Sequence, residues 1–331
     1  MSKKILIDFQ KIQDPYSGLG QFCQHLKFFF DKSELNLRYW IPGKFQKLAK
    51  KLPFILPDCE VFHAVHQDSP FMPGRTKTKY ILTIHDLNAL YENTDPLFQK
   101  SYKASLQIKI NRASVVTFIS QFTKSEVEKN FDLKNKMIEV IYNGISLVTQ
   151  SELPVSVPNG KLIFSIGTVV PKKNFHILVD FIKELPSDYK LVLAGTTFHI
   201  YAKKLKEKII EQGLEDRFYL VGTINEKQKL WYYQNAVAFI FPSLLEGFGL
   251  PVAEAMSLGL PLFLSDKSSL PEIAGIDAYY FKNFDPQKMA QTFLNGMNEF
   301  DETKKLRLIE RAKLFDWKKA SERYLEIYNN L

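Results

Sequence analysis

Short apolar, β-rich runs alternate with amphipathic stretches along this chain, in two successive sets of six. The predicted strands of the first set are Lys4–Phe9, Asn36–Ile41, Val61–Ala64, Tyr80–Ile84, Ser114–Ile119 and Met137–Ile141. Those of the second are Leu162–Ile166, Tyr189–Ala194, Phe218–Val221, Ala238–Phe241, Pro261–Ser265 and Tyr279–Phe281. Helical patterns fall between most of them, among them Leu19–Phe30, Phe98–Ala113, Phe175–Lys183, Lys203–Glu211, Glu226–Ala236 and Gln287–Glu299. Such alternation implies parallel sheets with helices on both faces. The 331 residues suit two domains. The segment Leu147–Gly160 carries Ser151, Pro154, Ser156, Pro158 and Gly160 without helical periodicity, so a linker is placed at 151–160. The expected fold is α/β, with two doubly wound, Rossmann-like domains, 1–150 and 161–312, facing each other across a cleft. A C-terminal helix in 313–331 is expected to cross back to the first. Ligands of such sheets bind outside the carboxyl ends of the strands.

No apolar run approaches the ~20 residues that cross a bilayer. The N-terminal Met-Ser-Lys-Lys leads into Ile5-Leu6-Ile7 and then Asp8, which reads as a first strand and not a leader. Cys23 and Cys59 have neither a disulfide framework nor metal-ligand spacing, which fits a reducing cytoplasm. The net charge of +8 is uneven, with 21 lysines and arginines against 14 acids in residues 1–150. Lys44, Lys47, Lys50 and Lys51 lie among Phe45, Leu48, Leu52, Phe54, Ile55 and Leu56. Two readings stand open for this stretch: a solvated helix face, or attachment to an anionic membrane surface. Nucleic acid is disfavoured, because no zinc-finger spacing, RNP-like motif or basic helix array occurs.

The segment from Phe241 to Met256 constrains function most. Glu246 and Glu254 are separated by seven residues that include Gly247, Phe248, Gly249 and Pro251. Apolar Ala236–Phe241 precedes it and helical Val252–Leu258 follows. Pro251 suits a first helical turn. Glu246 is therefore expected in a loop at a strand end, and Glu254 about one turn into the next helix. Between them lies a helix N-terminus whose N–H groups can receive a phosphate.

A second element, Ser165-Ile166-Gly167-Thr168-Val169-Val170-Pro171-Lys172-Lys173-Asn174, follows the first strand of the second domain. Gly167 permits a tight turn. Lys172 and Lys173 are expected just before a helix, forming a cationic pocket for a diphosphate; alone, they would read as an exposed lysine pair. Ser17-Gly18-Leu19-Gly20 is a shortened glycine loop that fits a phosphate contact or a plain turn equally well. His85, in Thr83-Ile84-His85-Asp86-Leu87, ends a strand and is expected to project into the cleft, although a lone histidine is more often structural. His63, His66 and Asp68 lack an obvious further ligand, so a metal is disfavoured. No nucleophile elbow, His-Glu-x-x-His helix or Walker loop is present.

These elements, in this order, resemble the family 4 retaining glycosyltransferases of GT-B fold from about Ile5 to Phe284. The resemblance also includes Phe118 to Lys124, Val140 to Gly144, Leu191 to Gly195 and Ser268 to Glu272. It implies that Glu246 contacts the donor sugar, Glu254 the ribose hydroxyls, and Lys172 with Lys173 the diphosphate. Backbone N–H groups near Phe248, Gly249 and Leu250 would meet phosphate or sugar. Gly18 and Gly20 would approach the diphosphate, His85 the transferred sugar, and Thr223 and Ile224 the base. Lys172 stands where the family often has arginine, replacing a bidentate fork with a point charge.

The implied catalytic set is Glu246, Lys173 and His85. The implied reaction moves a sugar from a GDP- or UDP-linked donor to a glycan or lipid-linked acceptor, in bacterial surface polysaccharide or lipopolysaccharide synthesis. Family frequency points to a mannose-type donor. Retention of anomeric configuration without a metal or cofactor is expected, with the chain in the cytoplasm or peripheral on the inner face of the cell membrane. A nucleotide-sugar epimerase or phosphorylase of the same fold and a non-catalytic sugar-nucleotide-binding protein are the competing readings.

Overall fold

Twelve strands form two parallel six-stranded sheets in the computed structural model, which describes residues 3–14, 17–41 and 56–331. The lysine-rich stretch from Lys44 to Lys51 lies outside the described residues. By internal contacts the chain divides into Met1–Gly144 with Phe315–Leu331, and Ile145–Leu314.

The first unit contains β1 (Ile5–Asp8), α1 (Gly18–Phe30), β2 (Leu37–Trp40), β3 (Val61–Ala64), β4 (Lys79–Ile84), α2 (Asn88–Glu92), α3 (Pro96–Arg112), β5 (Val115–Phe118), α4 (Gln121–Asn130) and β6 (Met137–Val140). Its sheet order is β2-β1-β3-β4-β5-β6. Strands β1, β3 and β5 are buried at every residue, as strands covered on both faces must be. Side-chain caps open the helices: Ser17 on α1, Asp95 on α3 and Ser120 on α4.

The second unit contains β7 (Lys161–Ile166), α5 (Ile177–Lys183), β8 (Tyr189–Ala194), α6 (Ile200–Glu211), β9 (Phe218–Gly222), α7 (Glu226–Asn235), β10 (Ala238–Phe241), α8 (Leu250–Ser257), β11 (Leu262–Ser265), α9 (Leu270–Ala274), β12 (Tyr279–Phe281), α10 (Pro286–Glu299) and α11 (Glu302–Ala312). Its sheet order is β12-β11-β10-β7-β8-β9. The segment read as a linker belongs to this unit, where the Glu152 N–H donates to the Lys227 carbonyl at 3.2 Å.

The last helix, α12 (Trp317–Asn330), completes the first unit. Its aromatic face is its anchor. Trp317 and Tyr324 pack edge-on against Phe22 of α1, and Tyr328 against Phe30. The Tyr328 hydroxyl also bonds His63 Nδ1 at 2.6 Å, inside the core.

Candidate active site

Strand order places the site of the second unit. After β7 the chain builds β8 and β9 on one side; it then returns to place β10, β11 and β12 on the other. The reversal falls between β7 and β10, which pair in parallel. Loops leaving the carboxyl ends of two such strands diverge and open a crevice. Here those loops are Gly167–Asn174 and Pro242–Gly249, and they carry the lysine pair and Glu246.

The two loops are tied together. The Leu244 N–H donates to the Lys172 carbonyl at 2.8 Å, and the Ser243 hydroxyl reaches the same carbonyl at 3.3 Å. The Lys173 ammonium forms an ion pair with Glu246 Oε1, and both side chains are largely buried. Lys173 also lies 4.9 Å from the centre of the Phe241 ring, whose π face favours a cation. Behind Glu246, its N–H donates to Ser268 Oγ at 3.1 Å, while the Ser269 hydroxyl donates to the Glu246 and Phe248 carbonyls. Ser268 holds a left-handed φ of 55°, a strained conformation for a non-glycine residue that its hydrogen bonds help to fix.

One local expectation needs correction. The lysines do not stand directly before a helix. They occupy a 3-10 turn, Pro171–Lys173, closed by Asn174 at φ 59°, and α5 begins at Ile177. The left-handed Asn174 redirects the chain and separates the turn from the helix. The cationic character of this loop therefore comes from side chains and not from the α5 terminus.

The N-terminus of α8 faces the same crevice end. Gly249 is its N-cap with φ 94°, and an added Cβ would lie 2.7 Å from Leu270 Cδ2. Backbone conformation and space both require glycine there. Pro251 lies in the first turn, and Phe248, just before the cap, is buried. Leu250 opens the helix, at a position whose N–H has no intrahelical partner.

Glu254, one turn into α8 as expected, is 3% exposed. Lys229 Nζ lies 2.8 Å from its Oε1, and the Tyr233 hydroxyl 3.0 Å from its Oε2. Burial pushes the carboxyl above the usual carboxylate range. The Lys229 ammonium and the Tyr233 hydroxyl pull it back, and Glu226 adds to the rise. Lys229 and Tyr233 were not legible as site residues. Their four-residue spacing on α7 puts them on one helix face, but nothing in the sequence says that this face meets Glu254. Thr223 is exposed and Ile224 half-buried, just beyond the end of β9.

In the first unit the two glycines of the expected phosphate loop differ. Gly18 begins α1 with open space around it, whereas a Cβ on Gly20 would lie 1.7 Å from the Asp14 carbonyl oxygen. The Gly20 N–H is already taken by Ser17 Oγ at 3.0 Å. Gly20 thus serves close packing of α1 on the 3-10 turn Gln10–Gln13 and the Asp14 that ends it.

His85 is 7% exposed and is not a projecting side chain. Its ring packs edge-on against Phe22 with centroids 4.7 Å apart, and Nε2 bonds the Val65 carbonyl at 2.8 Å. Burial lowers its pKa to about 4, partly offset by that carbonyl. The ring is therefore neutral, with Nε2–H as donor and Nδ1 as an acceptor. Both His63 nitrogens are taken, by Tyr328 and by Thr83 at 2.7 Å. His66 Nε2 lies 2.9 Å from Gln10, and Nδ1 accepts the Asp68 N–H at 3.2 Å. These partners hold both imidazoles inside the protein.

The chain matches the family described as glycosyl transferases group 1 over residues 151–314, and Glycosyltransferase Family 4 over residues 18–148. It belongs to the family 4 glycosyltransferases. The O-antigen chain mannosyltransferase RfbU of Salmonella typhimurium is 26% identical over 236 residues, covering 71% of this chain and 64% of the relative. O-antigen chain mannosyltransferase B of Escherichia coli is 25% identical over 287 residues, covering 80% and 74%. The chain thus spans just under two thirds of the first relative. Among solved structures, Anabaena HepE, determined with UDP and glucose, superposes with a TM-score of 0.75 at 18% identity, covering 99% of this chain and 100% of that one. That likeness establishes the GT-B fold. Among the described residues, no helix is long and apolar enough to cross a membrane.

Proposed function

We propose that this glycosyltransferase moves a mannose-type sugar from a nucleoside-diphosphate donor to a glycan or lipid-linked acceptor of a bacterial surface polysaccharide, with retention and without a metal. The carrying observation is the pairing of Lys173 with Glu246 where the loops after β7 and β10 diverge. A cation for the diphosphate and a carboxylate for the sugar adjoin there, beside the N-terminus of α8. The mannosyltransferase names of the two bacterial relatives support the donor sugar and the class of product. The fold shared with a protein that holds UDP and glucose agrees with a nucleotide-sugar donor.

In this reading the bond between the anomeric carbon and the phosphate oxygen breaks as the acceptor oxygen approaches on the same face. The departing phosphate oxygen takes the acceptor's proton. Lys172, Lys173 and the first-turn N–H groups of α8 stabilise the charge gathering on the diphosphate. Glu246, paired with Lys173, brings its carboxylate beside the sugar as positive charge develops on it.

The test is release of nucleoside diphosphate from GDP-mannose and from UDP-linked hexoses, with and without lipid-linked glycan acceptors. Acceptor-dependent release giving an α-linked product by NMR supports the proposal. Donor binding without release for any acceptor would indicate a non-catalytic binding protein.

A further inference from the structure

Glu254 carries a problem that its expected role does not solve. A carboxylate 3% exposed, on a helix whose neighbours Val252, Ala253, Ala255 and Met256 are all buried, is costly to keep ionised. Once protonated it becomes partly a donor and loses acceptor capacity for a hydroxyl. Something must hold it charged if it is to accept hydrogen bonds from a ribose.

Lys229 is 6% exposed, and its ammonium sits 2.8 Å from Glu254 Oε1 and 2.8 Å from Glu226 Oε2. Glu226 has a half-exposed side chain, so the buried acid of the pair is Glu254. Burial disfavours the charged lysine, yet the carboxylates of Glu254 and Glu226 outweigh it and raise its pKa. The Tyr233 ring is fixed against Phe164 and Phe239, with centroids 5.2 and 5.6 Å away, and its hydroxyl steadies Oε2. Lys229 and Tyr233 each take one lone-pair site of a carboxylate that has about four.

The charged and titratable groups facing Glu254 come from α7: Lys229, Tyr233 and, further out, Glu226. The other elements around α8 bring different groups. β10 and β11 are built of Ala, Phe, Ile, Leu and Ser, and α9 has Glu272 in its first turn. From α11, Lys305 reaches Gly259 beyond the end of α8 and pairs with Glu302 at 3.2 Å.

We propose that Lys229 is a positioning residue for donor recognition, holding Glu254 ionised and oriented so that the carboxylate accepts hydrogen bonds from the nucleotide. The inference rests on the reading of Glu254 as a nucleotide contact. A purely structural lysine would bolt α7 to α8 and would leave the pH dependence of nucleotide binding unchanged.

The experiment measures GDP and UDP affinity by calorimetry from pH 5.5 to 8.5, with melting curves on each variant. In the wild type, affinity is level near neutrality and declines on an acid limb as Glu254 takes up a proton. In Lys229→Met that limb moves to higher pH, so affinity at pH 6.5 drops by ~10-fold or more, the worth of a hydrogen bond to a charged acceptor. Lys229→Arg restores the wild-type profile. Glu226→Gln, at a half-exposed site, removes the competing acid and moves the limb to lower pH; this variant decides the matter if Lys229→Met does not fold. An unmoved limb in Lys229→Met or in Glu226→Gln overturns the proposal. Unchanged affinity in Glu254→Gln would instead overturn the underlying reading of Glu254, and that result is separate from the other two.

Discussion

Lys173 and Glu246, 73 positions apart, form an ion pair with side chains 14% and 12% exposed. Each is the other's counterion. Breaking the pair from one side leaves the remaining charge uncompensated. Lys173→Ala should cost about 2–3 kcal/mol of stability, somewhat below the ~3–5 kcal/mol of a fully buried pair. Glu246→Gln leaves a neutral amide and should cost less. Denaturant melts of both variants check the order; a larger loss for Glu246→Gln would contradict it.

The two glutamates should separate kinetically. Glu254→Ala weakens donor and free nucleoside diphosphate alike, because a ribose contact acts equally in ground and transition states. Glu246→Gln spares nucleoside diphosphate affinity and lowers kcat by ~10-fold or more, about 1.4 kcal/mol of barrier. Calorimetry and steady-state kinetics on the same pair of variants provide the comparison. Reversal of the pattern would exchange the two roles.

Turnover should survive excess EDTA. In the proposed mechanism the diphosphate charge is met by Lys172, Lys173 and backbone N–H groups. Loss of activity on chelation, recovered with Mg²⁺ or Mn²⁺, would place a divalent ion in the reaction and remove that part of the proposal.

The first unit should be acid-labile. Burial holds His63 and His66 down to about 3 and His85 to about 4, against 6.5 in the unfolded chain. Their pKa values are lowered in the folded state, so below pH ~6.5 the unfolded chain binds more protons. The stability they confer is present above that pH and is lost as pH falls. Three such groups give about 4 kcal/mol per pH unit near pH 5. Asp8 opposes them, because burial raises it from 3.8 to about 6 and the folded state binds the extra proton in that window. Its share is about 1.4 kcal/mol per pH unit. Urea melts at pH 5 and pH 7 should therefore show a steep net loss on the acid side. Asp8→Asn should make that loss steeper, and a shallower loss would contradict the balance.

Gly249→Ala should be poorly tolerated. At φ 94° with Leu270 Cδ2 at 2.7 Å, alanine meets both backbone strain and a clash. A loss on the order of 1–3 kcal/mol is expected from the strain. Gly18→Ala, with no atom within 4 Å of the new Cβ, provides the contrast in the same melting assay.

The strands were legible because parallel strands buried on both faces are largely apolar runs; Val61–Ala64, Tyr189–Ala194 and Ala238–Phe241 agree with their predicted limits to the residue, and so does the half-buried edge strand Tyr279–Phe281. The turn of Lys172 and Lys173 was less legible. Apolar residues from Phe175 onward fit a helix, but the left-handed Asn174 delays its start to Ile177, and single-residue backbone choices leave little periodic signal.

Sequence by itself determined the alternation of strands and helices, the family, and the spacing that places Glu246 in a loop and Glu254 on a helix. These are local properties, written in periodicity and in short motifs. Tertiary structure decided which charges meet. It paired Lys173 with Glu246, set Lys229 and Tyr233 of α7 on Glu254, and enclosed His85 against Phe22 and Val65. Charge state depends on burial and on partners far away in the chain, and those are fixed only when the sheet order brings β7 beside β10 and α7 against α8.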